Sequence, residues 1–463
     1  MSQTAVIPNV HPVLSLRGLI AGLLLAGATL ARAASCLDEN QPEPAMSSLS
    51  AAATAVAQAA PVPPRTQLLG MIQDALARSN ALGASRLLAD AARQDVEEAK
   101  ASKQPQASLV GAITPSAEVG NGSTSSLLQA RAAFNLGQTI YDGGRSDRII
   151  DWRRQQAEAA RLGLLSTREQ VTLATTSLAF ERSRFRMQAV IYGQNVRKMA
   201  CLVEALQTIV NADKGRTSEL VQARKQLQQA ELLQVQAQSQ ARAVEARLRR
   251  IVGDGLPGTE GFGTLLLQVP ELPMVLADAE RSFDIGQLDA NTAALREIAR
   301  VVEAGNKPQL SWNIVGNGAA GTGNAQTVRS TGVAAGLTLN VPILNPAVEY
   351  STQAARKRAE AAALQRAEAL EQRRQRIAEA HEQATSAFDR LRRVSLVLRD
   401  SDQLRNFTLQ QWRQLGRRSL FDVIAAENDH YGLRVQYVNA LHDGQQLNAT
   451  LTSLGLGLSN WLQ

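Results

Sequence analysis

Aromatic side chains supply only 4 % of the 463 residues, and the chain has two cysteines and four histidines. So few large rings exclude a thick globular core. Long proline-free stretches of Ala, Gln, Arg, Glu and Leu favour long helices with narrow, small-residue seams instead. The histidines, His11, His381, His430 and His442, are scattered without metal-ligand spacing. No nucleophile–base constellation and no phosphate-cradling glycine loop is present, so the sequence reads as non-enzymatic, without metal or cofactor. Beyond the N-terminus there is no apolar run long enough to cross a bilayer as a helix. Charge of one sign is not concentrated either. The net charge is +7, but Arg alternates with Glu and Asp at helical spacing, which makes solvated helix faces and not a nucleic-acid surface.

The N-terminus carries an address. Arg17 precedes the apolar run Gly18 to Leu30, and Ala31-Arg32-Ala33 follows as a small-x-small cleavage site. These are the parts of a secretory signal peptide, placed at residues 1–33. Residues 34–65, rich in Ala, Ser and Pro, form an extended leader. Cys36 stands near its start and admits three readings: a lipidated first residue, a disulfide to Cys201, or a free thiol.

The rest of the chain says everything twice. Lys103-Gln104-Pro105-Gln106 returns 203 residues later as Asn306-Lys307-Pro308-Gln309, with the Pro-Gln pair kept and the two positions before it substituted. The same offset carries Met71 to Met274, Arg78-Ser79 to Arg281-Ser282, and Ile140 to Ile343. The sequence therefore predicts a first repeat over 66–252, a Gly/Pro-rich linker over 253–272 and a second repeat over 273–463. Each repeat begins with a helix, about 66–104 and 273–307. Two short alternating segments follow, Gln106 to Ile113 and Leu127 to Leu136, then Gln309 to Val315 and Gly332 to Asn340. The loops between them are rich in Gly, Ser and Asn. Leu128, Ala130, Ala132, Phe134 and Leu136 alternate with Gln129, Arg131 and Asn135, the period of a membrane strand. Behind each hairpin runs a proline-free segment, about 146–212 and 347–413, each roughly 100 Å long if helical. Ala384, Phe388, Leu391 and Leu398 follow a coiled-coil seam. Each long helix ends at a glycine turn, with a returning helix from Ser218 or Ser419.

Four strands cannot close a barrel, and an open edge exposes unpaired backbone groups to lipid, so the chain must oligomerise. Two copies would give an eight-strand barrel filled by side chains; three or more are needed for a pore. The expected fold class is thus mainly α with a membrane β-barrel portion and a long coiled-coil tunnel. The rival architecture is a periplasmic coiled-coil scaffold or adaptor without a barrel.

This order of elements, with Asp142-Gly143-Gly144 between strand pair and long helix, resembles the TolC-like outer-membrane efflux family over roughly residues 66–460. Phe134 to Arg145 resembles the family's strand-to-helix junction, and Gly215-x-x-Ser218 and Gly416-x-x-Ser419-Leu420-Phe421-Asp422 resemble its periplasmic tips. The resemblance implies a homotrimer in the outer membrane, with twelve strands on a helical tunnel. It further implies docking to a periplasmic adaptor and an inner-membrane pump or ABC transporter, for efflux or type I secretion, and no nucleic-acid partner. Asp422 matches the family's pore-lining aspartate, and equally has the Ser-x-x-acid spacing of a helix cap with Ser419. Arg418 matches a gate arginine. The usual partner position is Val221, so Glu219 or Asp213 would have to pair with it. The second acid of the family's ring is Ala425 here. The tip glycines Gly215 and Gly416 are expected at positive φ. With Ser218, Leu415, Ser419, Leu420 and Phe421 they form the expected adaptor-docking tips.

Overall fold

The computed structural model describes residues 62–120, 123–323, 327–412 and 418–462. The first repeat opens with α1 (Pro64–Arg78) and α2 (Asn80–Ala101). Strands β1 (Gln106–Gly120) and β2 (Ser123–Tyr141) follow, then the 68-residue α3 (Arg145–Ala212) and the returning α4 (Thr217–Val252). The second repeat matches it with α5 (Leu272–Ala279), α6 (Phe283–Ala304), β3 (Gln309–Gly323), β4 (Thr327–Asn340), α7 (Pro346–Gln410) and α8 (Leu420–Leu454). A short α9 (Leu458–Leu462) ends the described chain.

The single opening helix expected in each repeat is two helices. Ser79 is extended (ψ 108°) and its hydroxyl accepts from Leu82 N at 3.2 Å, capping α2. The equivalent Ser282 stands before α6, with ψ 150°. A serine hydroxyl competes for local backbone donors and so ends one helix while starting the next.

Compact units cut across the duplication. One consists of Leu69–Thr176, Gln268–Glu382 and Leu447–Gln463; the other of Ser177–Leu267 and Gln383–Gln446 with the residues up to Leu68. Each draws segments from both repeats.

The first unit contains the sheet, of order β1-β2-β3-β4 and antiparallel throughout. Paired residues share a face. Leu109 pairs with Phe134, Phe134 with Gly316 and Gly316 with Val333, while Trp312 pairs with Leu337 on the same side. Leu109 and Val333 on this apolar side are 78 % and 82 % exposed. The other side presents Ser108 opposite Asn135, Arg131 opposite Ala112, and Thr338 opposite Ser311. Val110, Leu127 and Val315 are its larger apolar exceptions.

The strands run further than the sequence predicts, because stretches read as loops belong to the ladder. Pairing continues to Gly120↔Ser123 in one hairpin and Thr322↔Thr327 in the other. The glycines of β3 signal close backbone approach, not a loop. A Cβ at Gly321 would lie 2.9 Å from Leu128 O, and one at Gly323 would lie 2.0 Å from Ser126 O.

At the strand-to-helix junction Gly143 and Gly144 take φ of 66° and 85°, which favour glycine. Asp142 caps α3, accepting from Gly144 N at 3.0 Å and from Ser146 N at 2.7 Å, and from the Ser146 hydroxyl. Burial alone would raise its carboxyl, but these hydrogen bonds win and hold it below the ordinary value. In the same unit, α9 is capped by Glu169, which accepts from Leu458 N at 2.5 Å and Ser459 N at 3.2 Å. The C-terminal end of α8 is held by Arg373, donating to Leu454 O at 2.9 Å and to Asp284.

In the second unit the segment expected as a linker is packed structure. Phe262 is fully buried in a short turn, and Gln445 of α8 donates to Phe262 O at 2.8 Å and Leu265 O at 2.6 Å. Those bonds tie the turn to α8, adding a second donor to Phe262 O, which also accepts from Leu265 N. Farther along α8, His442 is 2 % exposed with Nδ1 2.9 Å from Val438 O. Burial pushes its imidazole down to about 4, with Arg184 adding to the effect and the Val438 carbonyl opposing it. The unfolded chain therefore takes up this proton first as pH falls. The neutral ring's contribution is complete above about 6.5, declines through the interval down to about 4, and stays lost below it. The loss amounts to roughly 3 kcal/mol. Urea unfolding at pH 7 and pH 4.5 should show it, and His442→Gln should remove this part of the pH dependence.

Candidate channel entrance

Both helical turns that the sequence marks as tips belong to the second unit. In the first, Asp213 starts a single 3₁₀ turn, Lys214–Arg216, by accepting from Gly215 N at 2.9 Å. Gly215 does not take the expected positive φ. It lies inside the turn, where a Cβ would stand 3.1 Å from Asp213 Oδ1. Nor is Ser218 the cap of the returning helix: α4 starts one residue earlier, at Thr217, whose hydroxyl donates to Lys214 O at 2.7 Å. The 3₁₀ turn consumes the residues that a sharper glycine turn would have left outside the helix.

Of the second tip, Leu415 and Gly416 lie outside the described residues. Ser419 caps α8, its hydroxyl accepting from Phe421 N at 3.1 Å, while Asp422 Oδ2 accepts from Ser419 N at 3.3 Å. These reciprocal bonds make a capping box, and an acid there also meets the positive end of the helix dipole. Arg418 donates to Gln411 Oε1 at 3.1 Å and stands 3.8 Å from Asp422 Oδ2. Within one chain, then, Arg418 bridges the end of α7 to the start of α8. No contact to Glu219 or Asp213 occurs among the described residues.

The two tips share one apolar core. Met199, Leu202 and Leu206 of α3 pack with Leu220 and Ala223 of α4, Leu409 of α7, and Leu420, Val423 and Ile424 of α8. Leu420 is 1 % exposed, so this residue, expected at a docking surface, faces inward instead. Its neighbour Phe421 and Val221 of the other tip remain exposed. Cys201 is buried in the same core, and Cys36 lies outside the described residues.

Above this core lies a feature that the sequence reading missed. Glu427 of α8 is completely buried, 3.5 Å from Lys198 Nζ of α3 and 3.6 Å from Arg405 Nη1 of α7. Both separations exceed directed hydrogen-bond lengths, so these are ionic contacts between enclosed charges. Arg405 also donates to Asp402 at 2.9 Å. In sequence each of these residues looks like one more solvated helix charge. Only the crossing of three helices brings them together. Farther up, Arg182 and Arg186 of α3 both reach Glu245 Oε1 of α4, at 3.1 and 2.6 Å. Burial would raise Glu245, but the two guanidiniums hold it below its ordinary value.

Residues 71–254 match the model of the outer membrane efflux protein family. That match spans the first repeat, which is similar to outer membrane efflux proteins. No curated protein matches in sequence. The fold is that of solved outer-membrane channels. CusC superposes with a TM-score of 0.73 at 16 % identity, over 85 % of this chain and 92 % of that one. VceC of Vibrio cholerae gives 0.71 at 16 %, over 85 % and 96 %. The open state of MtrE from Neisseria gonorrhoeae gives 0.70 at 15 %, over 85 % and 89 %. The partial family match and the likeness in fold to outer-membrane channels support an outer-membrane location, and the four-stranded sheet with an exposed apolar side is the part suited to lipid.

Glu427→Gln would remove the buried carboxylate that faces Lys198 and Arg405. It should destabilise the folded state by roughly 3–5 kcal/mol. The urea midpoint of the detergent-solubilised protein measures this; an unchanged midpoint would mean that the enclosed charges are compensated by other groups.

Proposed function

We propose that three copies of this chain close a twelve-strand barrel and that the assembly is the exit duct of a tripartite efflux or type I secretion system. The observation carrying this reading is the sheet itself. β1 and β4 are both edge strands of the chain, and residues such as Leu109, Ile113, Val333 and Leu337 are widely exposed on one side. Lipid accepts that apolar side but not unpaired edges, so β1 of one copy pairs with β4 of the next. The polar side, with Ser108, Gln129, Arg131, Asn135 and Thr338, then lines a wet interior. A periplasmic coiled-coil scaffold would leave the apolar side in water, which disfavours that alternative.

The helices then extend into the periplasm, where an adaptor docks at the tips and links the duct to an inner-membrane pump or ABC transporter. In this reading the duct is passive and opens when the adaptor engages, with Phe421 and Val221 as exposed apolar contacts. Asp422 forms one ring of three carboxylates that focuses negative potential at the entrance and favours cations. There is no second ring, because the next acid position is Ala425. Arg418 keeps the tip closed through Gln411 and Asp422 in its own chain, and in the assembly through Glu219 of a neighbouring helix.

Purified protein should be a detergent-requiring trimer; a water-soluble monomer overturns the barrel. In planar bilayers Asp422→Ala should lower cation preference, and Arg418→Ser should raise the closed-state conductance while leaving the trimer intact. Unchanged selectivity and conductance in both variants would remove the entrance assignment. Failure of Arg418→Ser to assemble would make that arginine structural and not a gate.

A further inference from the structure

In the first unit the sheet hands over to a long helix twice, and the two junctions are copies of one another. The offset of 203 carries Ile140-Tyr141, at the end of β2, onto Ile343-Leu344, between β4 and α7. All four side chains are exposed, and Ile343 and Leu344 reach 94 % and 86 %. Pro342 offers no donor to prolong β4, and Pro346 opens α7, so the second pair belongs to neither element. Large apolar side chains left this open, twice at equivalent places, mark a surface that meets something other than water.

The surroundings of the junctions are ordered. Towards the strands lies the apolar side of the sheet: Tyr141 pairs with Leu310 and Leu310 with Leu339, on the side that carries Trp312 and Leu337. Trp312 stands near the start of β3, and its indole N–H donates to Gln138 Oε1 at 3.2 Å. A tyrosine and a tryptophan at the helix-side end of an apolar band sit where hydrocarbon gives way to headgroups. Towards the helices stand cations. Lys103 binds Asp147 at 2.8 Å, and Arg148 is 3.4 Å from Glu297. Arg145 and Lys307 are exposed and form no ion pair among the described residues. Lys307 lies against the junction itself, since a Cβ on Gly143 would collide with its side chain.

We propose that the two junctions form a collar that binds anionic phospholipid at the helix-side rim of the sheet. Ile140, Tyr141, Ile343 and Leu344 lie against the acyl chains, and Arg145 and Lys307 take the phosphate. The collar rests on the barrel reading above, because equivalent positions of two repeats share one depth only when the repeats close around an axis. A phospholipid supplies both chemistries in the required order, hydrocarbon beside the strands and negative charge beside the helices. The next copy of the chain is a poorer cover. It would bring β1 to β4, and the residues just before β1, Lys103-Gln104-Pro105, give Ile343 and Leu344 little apolar surface. Nor can it reach the other pair, since β2 is flanked by β1 and β3 of its own chain. Such a collar fixes the depth of the sheet in the membrane, and so the level at which the helices leave it.

The test uses the full-length protein in vesicles of mixed phosphatidylcholine and phosphatidylglycerol. Cys201 is disulfide-bonded, so a cysteine introduced by Leu344→Cys is the thiol that takes a nitrobenzoxadiazole dye. Lipid carrying a nitroxide on its acyl chain should quench this dye, and phosphatidylglycerol should do so at lower content than phosphatidylcholine. Arg145→Gln or Lys307→Gln should lower that preference by up to about fivefold. Val333→Cys, on the apolar side of β4, reports on the barrel reading separately. If the dye at 333 is quenched and the dye at 344 is not, the barrel stands and the collar is overturned. If neither is quenched, the barrel reading fails and the collar with it. Equal quenching by the two lipids overturns the assignment to anionic phospholipid. If Leu344→Cys does not assemble, Ile140→Cys carries the same test with the same outcomes.

Discussion

An antiparallel sheet with two edges is acceptable only where something covers those edges, and most of this chain follows from that constraint. Within one copy β2 and β3 have partners on both sides, while β1 and β4 each have one. Water can satisfy an open edge, but lipid cannot, and the apolar side of these strands is made for lipid. The two strands that need partners come from opposite ends of the duplicated sequence, β1 from the first repeat and β4 from the second. Duplication thus does more than double the length. It sets an edge from each repeat facing outward and joins the repeats through the β2–β3 ladder, whose register slips only between Thr139 and Tyr141.

The same logic explains why the compact units ignore the repeat boundary. A repeat has two short opening helices, one hairpin and one pair of long helices, none of which buries enough surface alone. Stability comes from pairing like with like across repeats. The hairpins make one sheet, and α3 and α4 make one core with α7 and α8, through Leu202, Leu220, Leu409 and Leu420. Residues 253–267 belong to this packing, as the bonds from Gln445 to Phe262 O and Leu265 O establish.

Much of this was legible in the sequence where the signal is periodic. The offset between the repeats, the alternation around Phe134 and the uninterrupted helices each repeat a simple rule many times. Legibility failed where one residue type serves two purposes. Gly321 and Gly323 read as loop residues, because sequence alone does not distinguish a glycine that frees the backbone from one that lets another strand approach. Ser79 read as a helical residue, although its hydroxyl ends one helix and starts another. Leu420 read as tip surface, and the angle of α8 turns it into the core. Glu427 was invisible for a different reason. Its partners Lys198 and Arg405 lie on other helices, and no spacing rule within one helix connects them.

That buried charge bears on how firmly α8 is held along its length. An all-apolar seam is tolerant of sliding, since one leucine contact replaces another at similar energy. Enclosed ion contacts are not tolerant, because each displacement leaves a charge without compensation. α8 is built in the second way: Glu427, Arg434, His442 and Gln445 are all buried along it. Below Glu427, at Leu420, Val423 and Ile424, α8 presents a purely apolar surface to the tip core, while farther along Tyr431, Val435 and Val438 pack on Ile191 among the buried polar groups. The helix is therefore fixed in register along its shaft and held by interchangeable contacts at its start. Any separation of the tips costs least at that start, where the outer restraint is a capping box and a single exposed arginine bridge from Arg418 to Gln411 and Asp422. A movement that began there would meet the enclosed charges at Glu427, so the grading of contacts along α8 would confine any separation to the first turns of the helix.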